Sequence, residues 1–202
     1  GKSKPILYFV LKIPMSRKYK FRDSDKLYFV SFAVVYWIDL FIRDEYKKVV
    51  LDSWQYCMAN KGMELYGWCI MTSHIHIIIG SHGDKLEKIM QNMKRHTSEM
   101  LHKTILNHKG ESRKEWMLWL MERAGKKNSN NGDFQLWQQN NNPIELYNLK
   151  MAWQKLDYIH NNPVKAGIVE KAEDYLYSSA RNYIGMKGLI EISYLDPLII
   201  TM

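Results

Sequence analysis

Cysteine is nearly absent: Cys57 and Cys69 are the only two in 202 residues. Two are too few for a disulfide framework, and neither sits in a CxxC pair able to hold zinc, so a reducing, intracellular setting is expected. Long apolar runs are missing as well. The apolar stretch at residues 6–13 is interrupted by Lys12 and is followed by no small-residue cleavage site, so it does not read as a secretory signal. Nothing approaches the roughly 20 apolar residues of a membrane span, which points to a soluble, cytoplasmic chain with no membrane partner. Acidic residues are in deficit: 21 Asp and Glu stand against 29 Lys and Arg, a formal charge of +8. This balance favours a polyanionic partner, nucleic acid before membrane. With 46% hydrophobic and 25% charged residues, the composition is that of one core-forming domain with appendages.

No fixed-period repeat is present, and the one biased stretch, residues 125–142, is crowded with Lys, Asn, Gly and Gln. It reads as a long excursion around the apolar island Phe134, Leu136 and Trp137. Residues 28–36 are dense in aromatic and β-branched side chains and predict a buried strand. A helix begins at Asp44, with Val49, Val50, Trp54, Cys57 and Met58 at three-to-four spacing, and Asn60 and Gly62 stop it. Two strands at 64–71 and 74–80 with a very short connection predict an antiparallel hairpin. A second helix is expected over 85–107, its apolar side carrying Leu86, Ile89, Met90, Met93, Met100, Leu101 and Ile105, its other side Lys88, Lys94, Arg95 and Lys103. A short strand near 134–138 precedes a third helix over 149–162, which Pro163 is expected to end. The order strand, helix, strand, strand, helix, strand predicts an α+β fold, a ferredoxin-like (RRM-like) antiparallel sheet with helices on one face and the other face free for function.

The segment His74, Ile75, His76, Ile77, Ile78, Ile79 is the most informative. Side chains alternate along a strand, so both histidines share one face while Ile75, Ile77 and Ile79 share the other. Two neutral imidazoles so placed can converge on one divalent metal, although an isolated His-x-His is more often a hydrogen-bonded sheet face. On the third helix, Leu149, Ala152, Trp153, Leu156 and Ile159 form the apolar stripe, and Tyr158 lies away from it. Gln154, Tyr158 and Asn162 are spaced by four and line one side. A phenol becomes a useful nucleophile only beside a metal or base that favours its ionised form. A surface-packed tyrosine is the plainer explanation of the same pattern.

Together with the basic charge, these features resemble the IS200-like (Y1) transposases, His-hydrophobe-His single-strand DNA nucleases, and among them the REP-associated tyrosine transposases. The resemblance is carried by residues 28–32 (YFVSF), 67–79 (GWCIMTSHIHIII), 94–98 (KRHTS), Trp137 and Gln138, 158–169 (YIHNNPVKAGIV) and 177–183 (YSSARNY). It spans residues 18–188, and the His pair followed by YIHNNPVKAG is its most specific part. It implies a metal-dependent single-stranded DNA endonuclease and strand transferase, in which a 5′-phosphotyrosine link stores the phosphodiester energy for rejoining. His74 and His76 match the family's metal pair, Tyr158 its nucleophile on a catalytic helix near the open sheet face, and Asn162 stands where relatives place a polar third ligand, often Gln. His160 points elsewhere on the helix and is read as structural or as a phosphate contact. The donor set suits Mg²⁺ or Mn²⁺, with zinc left open.

The implied partner is single-stranded or hairpin DNA, with Lys88, Lys94, Arg95 and Lys165 as phosphate contacts and aromatics as stacking surfaces. Residues 1–17 are read as an N-terminal extension or expression-derived leader, since Met15 offers a more ordinary start. Residues 18–188 are read as the nuclease domain, and 189–202 as an apolar tail that packs on its own domain or on a partner. Either a monomer or a homodimer fits, in a bacterial, nucleoid-associated location. Two rivals make different predictions. A non-catalytic hairpin-binding module would bind without cleaving, and an unrelated His-x-His metalloenzyme would act on small molecules without DNA.

Overall fold

In the computed structural model, residues 21, 26–128, 133–139 and 143–196 are described; the expectations for residues 1–17 and for 198–200 of the tail lie outside them. The elements in chain order are β1 (Tyr28–Ala33), α1 (Asp44–Lys61), β2 (Met63–Ile70), β3 (His74–Ser81), α2 (Leu86–Asn107), α3 (Lys114–Lys126), β4 (Ile144–Glu145), α4 (Leu149–Lys165) and the single-turn α5 (Ala180–Tyr183). The strands form one antiparallel sheet in the order β2-β3-β1-β4, the α+β plan that the element order predicts.

Alternation decides which side of the sheet each residue faces. Val30 and Phe32 of β1, Trp68 of β2 and Ile75, Ile77 and Ile79 of β3 enter the larger core, with Val50, Trp54 and Cys57 of α1 and Leu86, Ile89, Met90, Met93, Leu101 and Ile105 of α2. On α2, Met100 turns outward and Thr97 takes its place inside. The Thr97 hydroxyl donates to the Met93 carbonyl and accepts from the Trp137 indole, so a polar residue is buried with its hydrogen bonds made. Helix α3, which the sequence pattern does not announce, adds Met117, Met121 and Ala124 to this core.

The opposite face, expected to be open with one helix near it, is half covered by that helix. Ala152, Leu156 and Ile159 of α4 pack on Phe29, Cys69 and Ile78, with Tyr175 and Leu195 closing the margin. Gly67 of β2 permits the approach: a Cβ there would stand 2.5 Å from Leu156 Cδ1. The outer edge of β2 is occupied too, because Ile70 N donates to Tyr177 O and Ser193 N to Leu65 O. Such pairing removes an exposed strand edge. The tail residues Ile190 and Leu195 are thus buried on their own domain.

Three further expectations need correction. The first strand stops at Ala33: Val34 N still bonds Ser73 O in the register of β1 and β3, but Val35 N turns to Leu136 O, and the positive φ of Tyr36 and Trp37 carries the chain out of the sheet. Residues 134–138 contribute only a single bridge, Val34 to Trp137, and the fourth strand is instead Ile144–Glu145, paired with Tyr28 and Phe29. Pro163 lies inside α4. It sits in the last turn, and the helix ends where Gly167 adopts φ +70 and Gly167 N bonds to Val164 O.

Candidate active site

The site is the uncovered half of the second sheet face. His76 pairs in register with Ser31 of β1 and Cys69 of β2, and His74 with Ala33, so both rings rise from the middle of the sheet. Their centroids are 4.8 Å apart. Helix α4, capped where the Asn148 side chain accepts from Met151 N, carries Tyr158 over His76. The Tyr158 ring lies 5.2 Å from the His76 ring and 5.9 Å from the Phe29 ring, edge-on to both. Phe29 stacks on His76 at 5.7 Å. Tyr158 nonetheless keeps 40% of its surface in solvent, so its hydroxyl is not sealed in the core.

His76 is 4% exposed, and neither ring nitrogen has a hydrogen-bond partner. Buried polar atoms are almost always paired, so two orphans on one ring call for an explanation. Burial, reinforced by His74 and Lys155, pushes its pKa down to about 3, which keeps the ring neutral and its lone pair available. Burial also holds His74 below the usual imidazole range, with Asp39 opposing. Its Nδ1 is 3.3 Å from Ser73 Oγ, which leaves Nε2 uncommitted. Among the described residues no group of three His, Cys, Asp or Glu converges, so the imidazole pair would need other donors to complete an ion's shell. Asn162 is one turn past Tyr158, its Nδ2 donating to the Tyr158 carbonyl at 2.9 Å.

The expected phosphate contacts divide between the two faces. Lys88, Lys94 and Arg95 stand on α2, behind the sheet from the histidines. Lys88 is 3.8 Å from Asp84, and Arg95 donates to Asn92. The Lys94 ammonium donates to the Gln138 carbonyl, and burial pushes its pKa down to about 8. Lys165 does reach the site, 5.8 Å from the Tyr158 ring centroid. Sequence reasoning missed Lys155 and Phe29. The Lys155 ammonium lies 4.7 Å from the Phe29 ring centroid and 5.8 Å from that of Tyr158, so two cations flank the phenol. The available signal was spacing: Lys155 is three residues before Tyr158, hence on its side of the helix.

The remaining motifs hold α4 in place. His160 is buried, its Nε2 2.8 Å from Ser179 Oγ, while Ser179 Oγ also accepts from Trp68 N. Burial pushes the His160 pKa down to about 4, and its role here is structural. Tyr183 Oη donates to the Tyr66 carbonyl on β2. Trp153, expected in the apolar stripe of α4, is 40% exposed and meets the edge of Tyr183, while His160 and Pro163 are buried on the helix beside Ala152, Leu156 and Ile159.

Residues 30–121 match the sequence model of the Transposase IS200 like family. In that stretch, which runs from β1 into α3 and contains both histidines, the chain is similar to IS200-like transposases. The match ends before Tyr158. Over its whole fold the chain is also similar to a solved structure described as the REP-associated tyrosine transposase bound to a REP hairpin. The two share 17% sequence identity, with a TM-score of 0.59 over 90% of this chain and 92% of that one. No curated protein matches the sequence. No helix among the described residues is long and apolar enough to cross a membrane.

Proposed function

We propose that this chain is a metal-dependent single-stranded DNA endonuclease and strand transferase that works through a covalent link to Tyr158. One observation carries the reading. A half-exposed phenol on α4 lies 5.2 Å, ring to ring, from a buried imidazole whose two nitrogens have no protein partner. The orphaned nitrogens and the donor chemistry fit a divalent ion, with His74, His76 and the Asn162 amide oxygen as its protein ligands and Mg²⁺ or Mn²⁺ suited to that nitrogen and oxygen set. When bound, such an ion stabilises charge on a phosphate's non-bridging oxygens.

The chain's own residues supply the rest. Tyr158 Oη attacks phosphorus and gives up its proton, the bond from phosphorus to the 3′ oxygen breaks, and that oxygen leaves as a hydroxyl after taking up a proton. The product is a 5′-phosphotyrosine, and a 3′-hydroxyl from another strand reverses the step without ATP. Lys155 and Lys165, on either side of the phenol, neutralise the phosphates that flank the reacting one. The hairpin held by the structural relative supports hairpin DNA as the partner.

The test is covalent trapping on short hairpin and linear single-stranded oligonucleotides with Mn²⁺, scored as a denaturant-resistant adduct. Tyr158→Phe is expected to abolish the adduct and leave hairpin binding intact. An undiminished adduct removes Tyr158 from the mechanism. Tight hairpin binding by the unmodified chain with no adduct in either metal would favour a non-catalytic hairpin-binding module.

A further inference from the structure

Directly after β1 the chain makes a turn that L-residues avoid. Tyr36 and Trp37 both have positive φ, 54° and 56°, and they are the only non-glycine residues among those described to do so. Two bulky aromatics in succession in the left-handed region require over-determination by their surroundings. That is what surrounds them: Val35 N donates to Leu136 O, Trp37 N to Val34 O, Gln138 N to Ala33 O and Gln138 Nε2 to Val34 O, while Val35 and Ile38 anchor the turn in the core. The turn is fixed, yet it leaves much of both aromatic side chains in solvent. Tyr36 is 46% exposed and Trp37 59%. The Trp37 ring meets His74 edge-on at 5.5 Å, so it borders the imidazole pair.

We propose that Trp37 is a stacking platform for an unpaired nucleobase adjoining the phosphate that Tyr158 attacks, and so a positioning residue that sets which phosphodiester enters the site. The inference rests on the function proposed above and goes beyond it by naming the group that registers the strand. The geometry favours a base over a protein partner. The indole stands at the margin of the imidazole pair, while Lys155 and Lys165 flank the phenol. A strand laid through the gap thus meets cations for its backbone and a flat π-surface for one base, the two components of single-strand recognition. Fixing the turn in advance also avoids ordering a large side chain when the strand arrives.

The experiment couples protein and DNA deletions. The adduct site is first mapped with the unmodified chain on a hairpin oligonucleotide carrying a single-stranded flank. A set of oligonucleotides then places one abasic residue at each nucleotide around that site. Affinity is read by anisotropy with chelator present, and adduct rate with Mn²⁺. Trp37→Ala is expected to weaken binding about 5- to 150-fold. One abasic position is expected to cost the unmodified chain a similar factor and to cost Trp37→Ala less than about 2-fold, since the stack is already gone. Trp37→Phe should recover part of the loss. Trp37→Gly separates recognition from folding: glycine accepts positive φ, so this variant should melt at or above the unmodified chain while binding as poorly as Trp37→Ala. Equal abasic penalties in the unmodified chain and in Trp37→Ala, or undiminished binding by Trp37→Ala, overturn the proposal. So does a lowered melting temperature in Trp37→Gly that accounts for its binding loss. If the unmodified chain binds no single strand and forms no adduct, the functional reading itself falls, and this inference with it.

Discussion

Gly67→Ala asks whether the contact between α4 and β2 places Tyr158, the proposed nucleophile. A β-carbon at residue 67 would stand 2.5 Å from Leu156 Cδ1, whereas carbon atoms pack best at about 3.5–4.0 Å, so something must give by about 1 Å. Leu156 is 1% exposed within the cluster that holds Ile78, Ile159 and Phe29, so its side chain can make room only by shifting against buried neighbours. Overpacking of this kind costs about 1–3 kcal/mol, which lowers Tm by roughly 2–12 °C in a chain of this size. The functional effect should be larger. Leu156 is two residues from Tyr158, and a misplacement of about 1 Å in a reacting group can cost about 100-fold in rate. The expected outcome is an adduct rate reduced about 10- to 100-fold with hairpin affinity nearly unchanged. Leu156→Val removes the colliding methyls and costs about 1 kcal/mol by itself, but in the double variant it should restore part of both Tm and rate. If Gly67→Ala matches the unmodified chain in melting and in trapping, the contact does not position Tyr158.

Three other perturbations give independent checks. In His76→Leu, two unpartnered buried nitrogens are replaced by an apolar group of similar size, so with chelator present the chain should gain about 1–3 kcal/mol and melt higher, while Mn²⁺-dependent trapping disappears; a lower melting temperature would mean the imidazole is partnered. Glu111 lies behind the sheet, its carboxylate fully buried and bonded to Arg113, Arg43 and Tyr46, and the bonds from Arg113 first and Arg43 second hold its pKa down to about 2 against the effect of burial. Glu111→Gln should cost about 3 kcal/mol, the low end for a broken buried pair because both arginines keep some solvent, and leave trapping per folded molecule unchanged. Buried His160 has its pKa lowered from 6.5 to about 4, so the unfolded chain takes up a proton in that window that the folded chain refuses. Stability due to this neutral ring is therefore full above about pH 6.5 and falls as pH drops towards 4, and His160→Gln should flatten the difference between urea denaturation at pH 7 and at pH 5.

What the sequence made legible was whatever a simple period determines. Alternation in β3 placed His74 and His76 together and sent Ile75, Ile77 and Ile79 to the core, and helical spacing put Ala152, Leu156 and Ile159 on one side of α4 and Tyr158 on another. Where the period is masked, the reading failed. Helix α3 buries Met117, Met121 and Ala124 but exposes Trp116 and Trp119, so its apolar residues blur the stripe that would have revealed it. Strand β4 has two residues, too few to show alternation. The run from Val34 to Trp37 looks like a strand continuing, and only the pull of Leu136 O on Val35 N, a contact distant in sequence, turns it outward after Val34. Lys155 reads as one more solvated charge until α4 is laid across the sheet and its ammonium comes over Phe29.

The two sides of the sheet differ in how their charged and titratable groups are matched, and the difference bears on function. On the α1 and α2 side of the sheet, buried Glu111 has three partners, buried Lys47 pairs with Asp44, and buried Thr97 satisfies both its donor and its acceptor, while the indole nitrogens of Trp54 and Trp68 are left unpartnered. On the histidine side local preference and tertiary structure conflict within a small area. His76 leaves both nitrogens unpartnered, Tyr36 and Trp37 adopt backbone conformations that glycine would take more readily, and two ammoniums lie over aromatic rings where no carboxylate pairs with them among the described residues. The unpartnered imidazole and the left-handed backbone destabilise the isolated chain, whereas the cation–π contacts hold two ammoniums in place, and a divalent ion, a base and a phosphate would respectively relieve or use these features. A surface retained only as packing would have no physical reason to concentrate three such features around one tyrosine, and replacement by Leu at 76 or Gly at 37 should raise stability there at the expense of DNA processing.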